Sequence, residues 1–568
     1  MDAGVHPVGE AVAFGRTRLT APPAVSVADA VKAFRIPSER HTSLKSRAVD
    51  LFRPERYEIL PALGGVGFEV GRGEFFGIVG PNGSGKSTLL MCIAGIYGLD
   101  SGAVTVYGRL SPFLEMGIGF KPELSARENV VLNGTLLGMT AEQVRERMDD
   151  IIGFADLHDF AELKLKNLSS GMKVRLAFSL AIQVDADILL LDEVLAVGDE
   201  AFQERCFEQF RLFKDEGRTV LFVSHSMKAI TGFCDRAMLL DSGKVLAIGD
   251  AESVADDYLE LNAARARERE AVVSRIRAGT SRRRLLARGR AFAGTLRPTR
   301  YKPSALAGDL RLFARVTVTL ARTEFKLHYR GSLLGYAWSV MQPLMLFGVL
   351  YAVFSGVLDL RHSSHYALYV LSAVVLWTYF AETTGAGVSS LVVAEGLLRK
   401  MRFPRLAIPL SVSMKALINL ALNGIVVVGF AIASGVAPRP SWLELPLLIA
   451  LLAALGTGVT LLLSTLYVRY RDMQQIWGVL ERVLFFVSPI FYPATLFPEA
   501  VREVMALTPL VMILTEMRHA FMDPTAPSAA ALAGGAWLLA VPIGIAIGIL
   551  LVGLAVFSRQ APRIAERL

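Results

Sequence analysis

"EFFGIVGPNGSGKSTLL", residues 74–90, sets an apolar run, a glycine-rich turn and a helix-forming run end to end, and its reading decides the fold of the first half of the chain. Phe75 to Val79 reads as a buried strand, and a helix is predicted to begin near Lys86. Between them Gly80, Gly83 and Gly85 let backbone N–H groups turn toward phosphate oxygens, with the helix N-terminus adding a favourable dipole. This strand–loop–helix context makes a P-loop, in which Gly80, Asn82, Gly83, Gly85, Lys86, Ser87 and Thr88 are expected to hold a nucleotide. Lys86 is placed to reach the β- and γ-phosphates of ATP, and the Ser87 hydroxyl to ligate Mg²⁺.

The whole chain is too apolar for an ordinary soluble protein and too long for one domain: 568 residues, 53% of them hydrophobic, with a mean hydropathy of +0.44. Residues 1–310 carry ordinary charge density, whereas 332–557 hold long runs with almost none, so a soluble half precedes a membrane half. Much of the +8 net charge is arginine between Arg265 and Arg300, a juxtamembrane position that suits anionic lipid headgroups. Nucleic acid is not expected as a partner. Cys92, Cys206 and Cys234 have no metal-ligand spacing and read as reduced cytosolic thiols. Residues 1–24 lack a signal-peptide pattern and are expected to form a mobile extension.

Further along, "ADILLLDEVLAVGD" (186–199) runs as a strand, Ile188 to Leu191, into two carboxylates. Asp192 is expected to hold Mg²⁺ through water, and Glu193 to polarise the attacking water. His225 in "TVLFVSHSM" again ends a strand, which favours contact with the γ-phosphate.

The stretch "NLSSGMKVRLAFSLAI" (167–182) resembles the signature motif of ATP-binding cassette (ABC) ATPases, here Leu168, Ser169, Ser170, Gly171 and Met172. The resemblance covers roughly 25–260 and implies a head-to-tail homodimer, each ATP lying between the P-loop of one cassette and the signature of the other. Ser169 and Gly171 would contact the γ-phosphate, with Ser170 beside them; Asp199 matches the family's D-loop, and either Phe34 of "VKAFRI" or Tyr57 would stack on adenine. Two departures stand out. The signature carries Ser170 and Met172 where Gly and Gln are common, and Glu115 or Met116 occupies the place of the Q-loop glutamine. Both departures, with "EVLAVGD", resemble cassettes that export bacterial polysaccharides.

Runs long enough to cross a bilayer, about 20 residues each, occur at 332–358, 366–394, 406–436, 442–468, 476–493 and 529–557, so six spans are expected. With the cassette in the cytosol, "LLRKMRFPR" (397–405), "VRYRD" (468–472) and the tail 558–568 all fall inside, and the first, a compact basic turn between spans two and three, is expected to dock on the cassette as a coupling helix. Residues 304–331 alternate arginines with apolar residues and read as an amphipathic helix on the cytosolic membrane surface, preceded by a basic linker at 261–303. In the second and third spans stand two costly charges, Glu382 and Lys415, each of which needs a partner or water. Counted from the basic turn they lie at depths of roughly 20 and 15 Å, close enough to pair.

"YRGSLLGYAWSVMQPLMLFGVLYAVFSGVL" (329–358), "LLRKMRFPRLAIPLS" (397–411) and "RYRDMQQIWGVLERVLFFVSPIFYP" (469–493) together resemble ABC-2 type membrane subunits that export O-antigen, teichoic acid and capsular glycans. The expected fold is thus an α/β P-loop ATPase followed by an all-α six-span domain at 332–557. The resemblance implies a multi-pass protein of the bacterial inner membrane that moves a lipid-linked glycan at the expense of ATP, with glycan-synthesis enzymes as candidate partners. An exporter of a small lipid or drug is the alternative. Aromatics crowd the spans, among them Tyr336, Trp338, Trp377, Tyr379, Trp477, Phe485, Phe486 and Tyr492; packing is expected for most and channel lining for a minority.

Overall fold

The computed structural model describes residues 22–37, 57–113, 117, 119–192, 200–277, 310–330, 334–357 and 365–568. The extension at 1–21 and the linker from 278 lie outside the described residues. In the soluble half, β1 (Val25–Pro37) and β2 (Tyr57–Val70) make an antiparallel pair, and the wholly buried β3 (Phe75–Val79) leads through the glycine loop into α1 (Lys86–Ile93). β4 (Ser101–Val106) pairs with β1, giving a three-stranded sheet of order β2-β1-β4.

A second sheet adds β5 (Leu110–Phe113), β6 (Ile188–Asp192), β7 (Thr219–Val223), β8 (Arg236–Asp241) and β9 (Lys244–Asp250) in the order β5-β6-β7-β3-β8-β9, parallel except at β9. Successive side chains of a strand point to opposite faces, so these unbroken apolar strands feed two cores. Phe76, Ile78, Leu190 and Leu221 pack toward α1 and the small sheet, where Phe68 and Phe76 stack at 5.3 Å. Phe75, Leu189, Leu191 and Phe222 pack toward the helical layer of α2 (Ala126–Leu136), α3 (Ser170–Ile182) and α4 (Glu200–Asp215), with Phe178 of α3 at the centre of a ring cluster. Then α5 (Ala251–Arg277) runs on past residue 260, and Arg265 holds it to the sheet by donating to both Asp241 carboxylate oxygens at 2.8 and 2.7 Å.

The membrane half consists of α6 (Leu310–Tyr329), α7 (Trp338–Val357), α8 (Tyr366–Val393), the short α9 (Glu395–Lys400), α10 (Ala407–Ala433), α11 (Leu445–Arg469), α12 (Met473–Val487), α13 (Pro509–Phe521) and α14 (Ala540–Arg567). α8 is the central, mostly buried helix. α11 and α14 approach until a Cβ at Gly458 would lie 2.7 Å from the Leu550 backbone, the close contact that small residues permit between membrane helices.

Among the described residues five helices, not six, are long and apolar enough to cross a membrane. The expected fifth span, 476–493, is corrected: α12 has 15 residues and stops at Val487, with Ser488 in an extended conformation before Pro489. Proline offers no N–H and disfavours a helical residue before it. Fifteen residues reach about 22 Å, short of a hydrocarbon core of about 30 Å. The non-helical 489–492 segment lies against the first turn of α8, where Tyr366 donates to the Phe491 carbonyl at 2.7 Å and Tyr369 to those of Tyr492 at 2.9 Å and of Pro489. Those hydroxyls satisfy backbone groups that irregular chain leaves open. The last span is displaced as well: the helix at Ala529–Ala533 ends on Gly534 at φ 85°, and α14 begins six residues later and continues through the expected tail.

Candidate nucleotide site and its junction with the membrane half

The P-loop, Asp192 and His225 are brought together at the C-terminal ends of neighbouring strands β3, β6 and β7; Asp192 is in register with Val223, two residues before His225. That edge is where parallel α/β sheets bind ligands. The loop tolerates only glycine where it passes closest to its surroundings: a Cβ at Gly80 would sit 2.1 Å from the Leu240 carbonyl, and one at Gly85 (φ 105°) 2.5 Å from that of Ala62. By contrast a Cβ at Gly83 would meet nothing within 4 Å, so the loop opens outward there. Lys86 curls over the loop and donates to the Gly80 and Pro81 carbonyls at 2.7 and 3.0 Å. The buried Ser84 hydroxyl has no hydrogen-bond partner among the described residues. Asn82 and Ser87 are exposed beside it and Thr88 is half-buried. An open loop of N–H groups with a cation curled over it fits a polyphosphate, and the Ser87 hydroxyl with the Asp192 carboxylate fits a hard divalent cation.

The signature stands at the start of α3. Ser169 is its N-cap, accepting from the Met172 N–H at 3.2 Å, while Ser169 and Ser170 are exposed and Leu168 is buried as the root. A solvent-facing helix N-terminus of this kind favours an anion. Phe34 meets the Tyr97 ring edge-on at 5.5 Å with Lys32 5.4 Å from its centroid, whereas Tyr57 is 47% exposed on β2, the strand whose Ala62 carbonyl lies over Gly85. Glu193, Asp199, Glu115 and Met116 lie outside the described residues.

At the junction with the membrane half the basic turn docks on the cassette as expected, beside Glu128, Lys326, Arg330, Lys121 and Glu324, which the sequence reading did not single out. Helix α2 starts with a capping box, Ser125 and Glu128, whose signal is written in "SARE". The Glu128 carboxylate also receives Lys326 of α6 and, at 2.6 Å, Arg330 just past the end of that helix, 198 and 202 residues away. Burial alone would raise its pKa, but these donors and the Ser125 N–H hold it down to about 2. Lys121 pairs with Glu324 at 2.7 Å. From α9, Leu397 reaches the cassette, 3.3 Å from a Cβ position on Gly119, and Leu398 joins Leu124, Leu132 and Leu136 of the cassette in one apolar cluster.

Inside the membrane half the expected pair is formed: Lys415 Nζ lies 3.3 Å from Glu382 Oε1. Asn419 donates to both Glu382 oxygens at 2.9 and 2.7 Å, and Tyr329, the last residue of α6, donates to Asn419 at 3.2 Å. Of the aromatics, Trp377, Tyr379 and Trp477 are packed at 6, 2 and 9% exposure, while Tyr336, Trp338 and Phe486 are open at 53, 39 and 63%.

Comparison with known proteins agrees with this geometry. Residues 63–196 match the family model described as ABC transporter, and 315–522 that described as ABC-2 type transporter. The chain is 42% identical over 243 residues to the O-antigen export system ATP-binding protein RfbB of Myxococcus xanthus, covering 42% of this chain and 56% of that protein. It is 44% identical over 212 residues to RfbB of Klebsiella pneumoniae, covering 37% and 85%. Similarity to the teichoic acids export ATP-binding protein TagH of Levilactobacillus brevis is 44% over 199 residues, covering 35% and 55%. The chain thus spans little more than half the length of the first and third of these relatives.

Proposed function

Because this chain belongs to the ABC transporter family, with a cassette followed by an ABC-2 type membrane half, we propose that it is an ATP-driven exporter of a lipid-linked glycan, working as a homodimer in the bacterial inner membrane. The observation that carries the reading is that one chain joins an open P-loop to membrane helices through a continuous junction, with Glu128, Lys326 and Arg330 at its centre. The similarity to O-antigen and teichoic acid export ATPases supports a glycan as cargo.

In this reading the N–H groups from Asn82 to Thr88 hold the ATP phosphates and Lys86 swings from the loop carbonyls onto them. Ser87 and Asp192 hold Mg²⁺, which when bound neutralises charge on the β- and γ-phosphates. Glu193 takes the proton of the attacking water and His225 orients the γ-phosphate. Ser169 and Gly171 of the second copy, with Asp199, close the site, and Phe34 or Tyr57 stacks on adenine. Closure of two cassettes pulls on α6 and α9, and hydrolysis resets them.

The test is ATP turnover by the full chain in lipid nanodiscs. Stimulation by a polyprenyl-pyrophosphate-linked oligosaccharide supports the reading; stimulation by free amphiphiles alone replaces it with export of a small lipid or drug.

A further inference from the structure

The stretch after the last span, expected as a cytosolic tail, is the partly buried end of α14. Ala561 and Ile564 are 1 and 2% exposed and pack with Leu398, Phe403 and Leu406 of the basic turn. Two buried cations fasten this end to the cassette. Arg405 of the turn, 7% exposed, donates to the carbonyl of Ala561 and, at 2.8 Å, to that of Ile96 in the cassette. Lys32 of β1, 2% exposed, has carboxylates from both halves: Asp100 of the cassette at 3.8 Å, and Glu566 of α14 closer, at 2.7 Å.

Ile96 is tied to the nucleotide loop. Its N–H donates to the Met91 carbonyl at 2.9 Å, inside α1, whose first residue is Lys86 of the P-loop. An eight-residue helix is a rod of about 12 Å, with the P-loop at one end and the Arg405 contact at the other. Were the cassette to move relative to α14, Lys32 would stay buried without its nearer carboxylate, a costly arrangement for an ammonium group. The cassette edge, the basic turn and the end of α14 are therefore held as one unit.

We propose that residues 561–568 are a coupling element: through Arg405 and the Lys32–Glu566 pair they tie the far end of α1 to the basic turn, so that filling the P-loop moves turn and α14 together. The inference rests on the reading that the P-loop takes ATP, and it assigns Glu566, Arg405 and Lys32 as positioning residues.

The experiment uses the full chain in nanodiscs, with a non-hydrolysable ATP analogue as the probe and hydrogen exchange of the peptides covering 395–405 and 557–568 as the readout. In the wild-type chain the analogue is expected to slow exchange in both peptides at least about twofold. Glu566→Lys is expected to bind the analogue with unchanged affinity yet lose this response, and adding Lys32→Glu to regain at least about half of it. Glu566→Gln, which keeps the shape of the side chain and removes its charge, is expected to lose about half and serves if the reversal does not fold. A full response in either Glu566 variant, or a double variant no better than Glu566→Lys, overturns the coupling role alone. Failure of the wild-type chain to bind the analogue overturns the ATP reading and this inference with it.

Discussion

Glu382→Lys would set an ammonium group against Lys415, where Nζ and Oε1 now lie 3.3 Å apart with side chains 21 and 13% exposed. At an effective dielectric of about 20, two unit charges at that distance interact by about 5 kcal/mol. In the wild type the cost of desolvating both groups offsets much of this, but a single reversal keeps the desolvation and turns attraction into repulsion. Losing one partner of such a pair costs about 3 kcal/mol or more. Lys415→Glu is expected to do equal damage, since it also sets a second carboxylate beside the oxygens to which Asn419 donates. In the double exchange the Asn419 amide must turn its oxygen to the new ammonium, leaving its NH₂ to the Tyr329 hydroxyl, which can accept. About half of the loss should therefore return. The assay is a double-mutant cycle on the melting of detergent-solubilised protein, run beside export. Effects that simply add, with a coupling below about 0.5 kcal/mol, would refute the pair as an energetic unit.

Glu193→Gln is expected to bind ATP while turning it over at least about a hundredfold more slowly, the scale of a lost general base; near-normal turnover in a phosphate-release assay would remove Glu193 from that role. Mixed dimers of a Lys86→Ala chain with a Ser169→Arg chain are expected to keep one intact composite site and so bind ATP where each mutant homodimer does not; no binding above either homodimer would contradict the head-to-tail arrangement. At the junction, Glu128 has its pKa depressed from 4.5 to about 2, so its contribution is fully present above about pH 4.5 and is lost as the pH falls through about 2. Glu128→Gln is accordingly expected to weaken the contact with α6 by about 2 kcal/mol at pH 7 after allowance for solvent screening, with little change in wild-type exchange protection of α6 between pH 7 and pH 5. Gly458→Val, forcing a Cβ to within 2.7 Å of the Leu550 backbone, is expected to lower the melting temperature by the equivalent of about 2 kcal/mol or more; an unchanged melt would mean that α11 and α14 are not packed this closely.

What the sequence made legible was local. The strand, glycine loop and helix around Lys86 follow from backbone needs written within 17 residues. The Glu382–Lys415 pair was legible too, because one short turn fixes the depth of both helices. By contrast, Glu128 finds Lys326 and Arg330 about 200 residues away, and Lys32 finds Glu566 across 534, separations over which no periodicity speaks. The end of α12 was missed for another reason: hydropathy runs on through Pro489 and Pro493, but the helix does not. Likewise Gly534 and Gly535 interrupt an apolar stretch that composition alone reads as one span.

The central claim is that this chain turns ATP hydrolysis into outward movement of a lipid-linked glycan. Proteoliposomes with the cassettes facing the bath, loaded with a polyprenyl-pyrophosphate oligosaccharide in both leaflets, measure it most directly through the fraction of glycan that a bath lectin can still reach. The account predicts that ATP lowers this fraction as glycan moves into the lumen, and that the Lys86→Ala chain leaves it unchanged. A lectin-accessible fraction that ATP does not alter in the wild-type chain, while ATP is being hydrolysed, would contradict it.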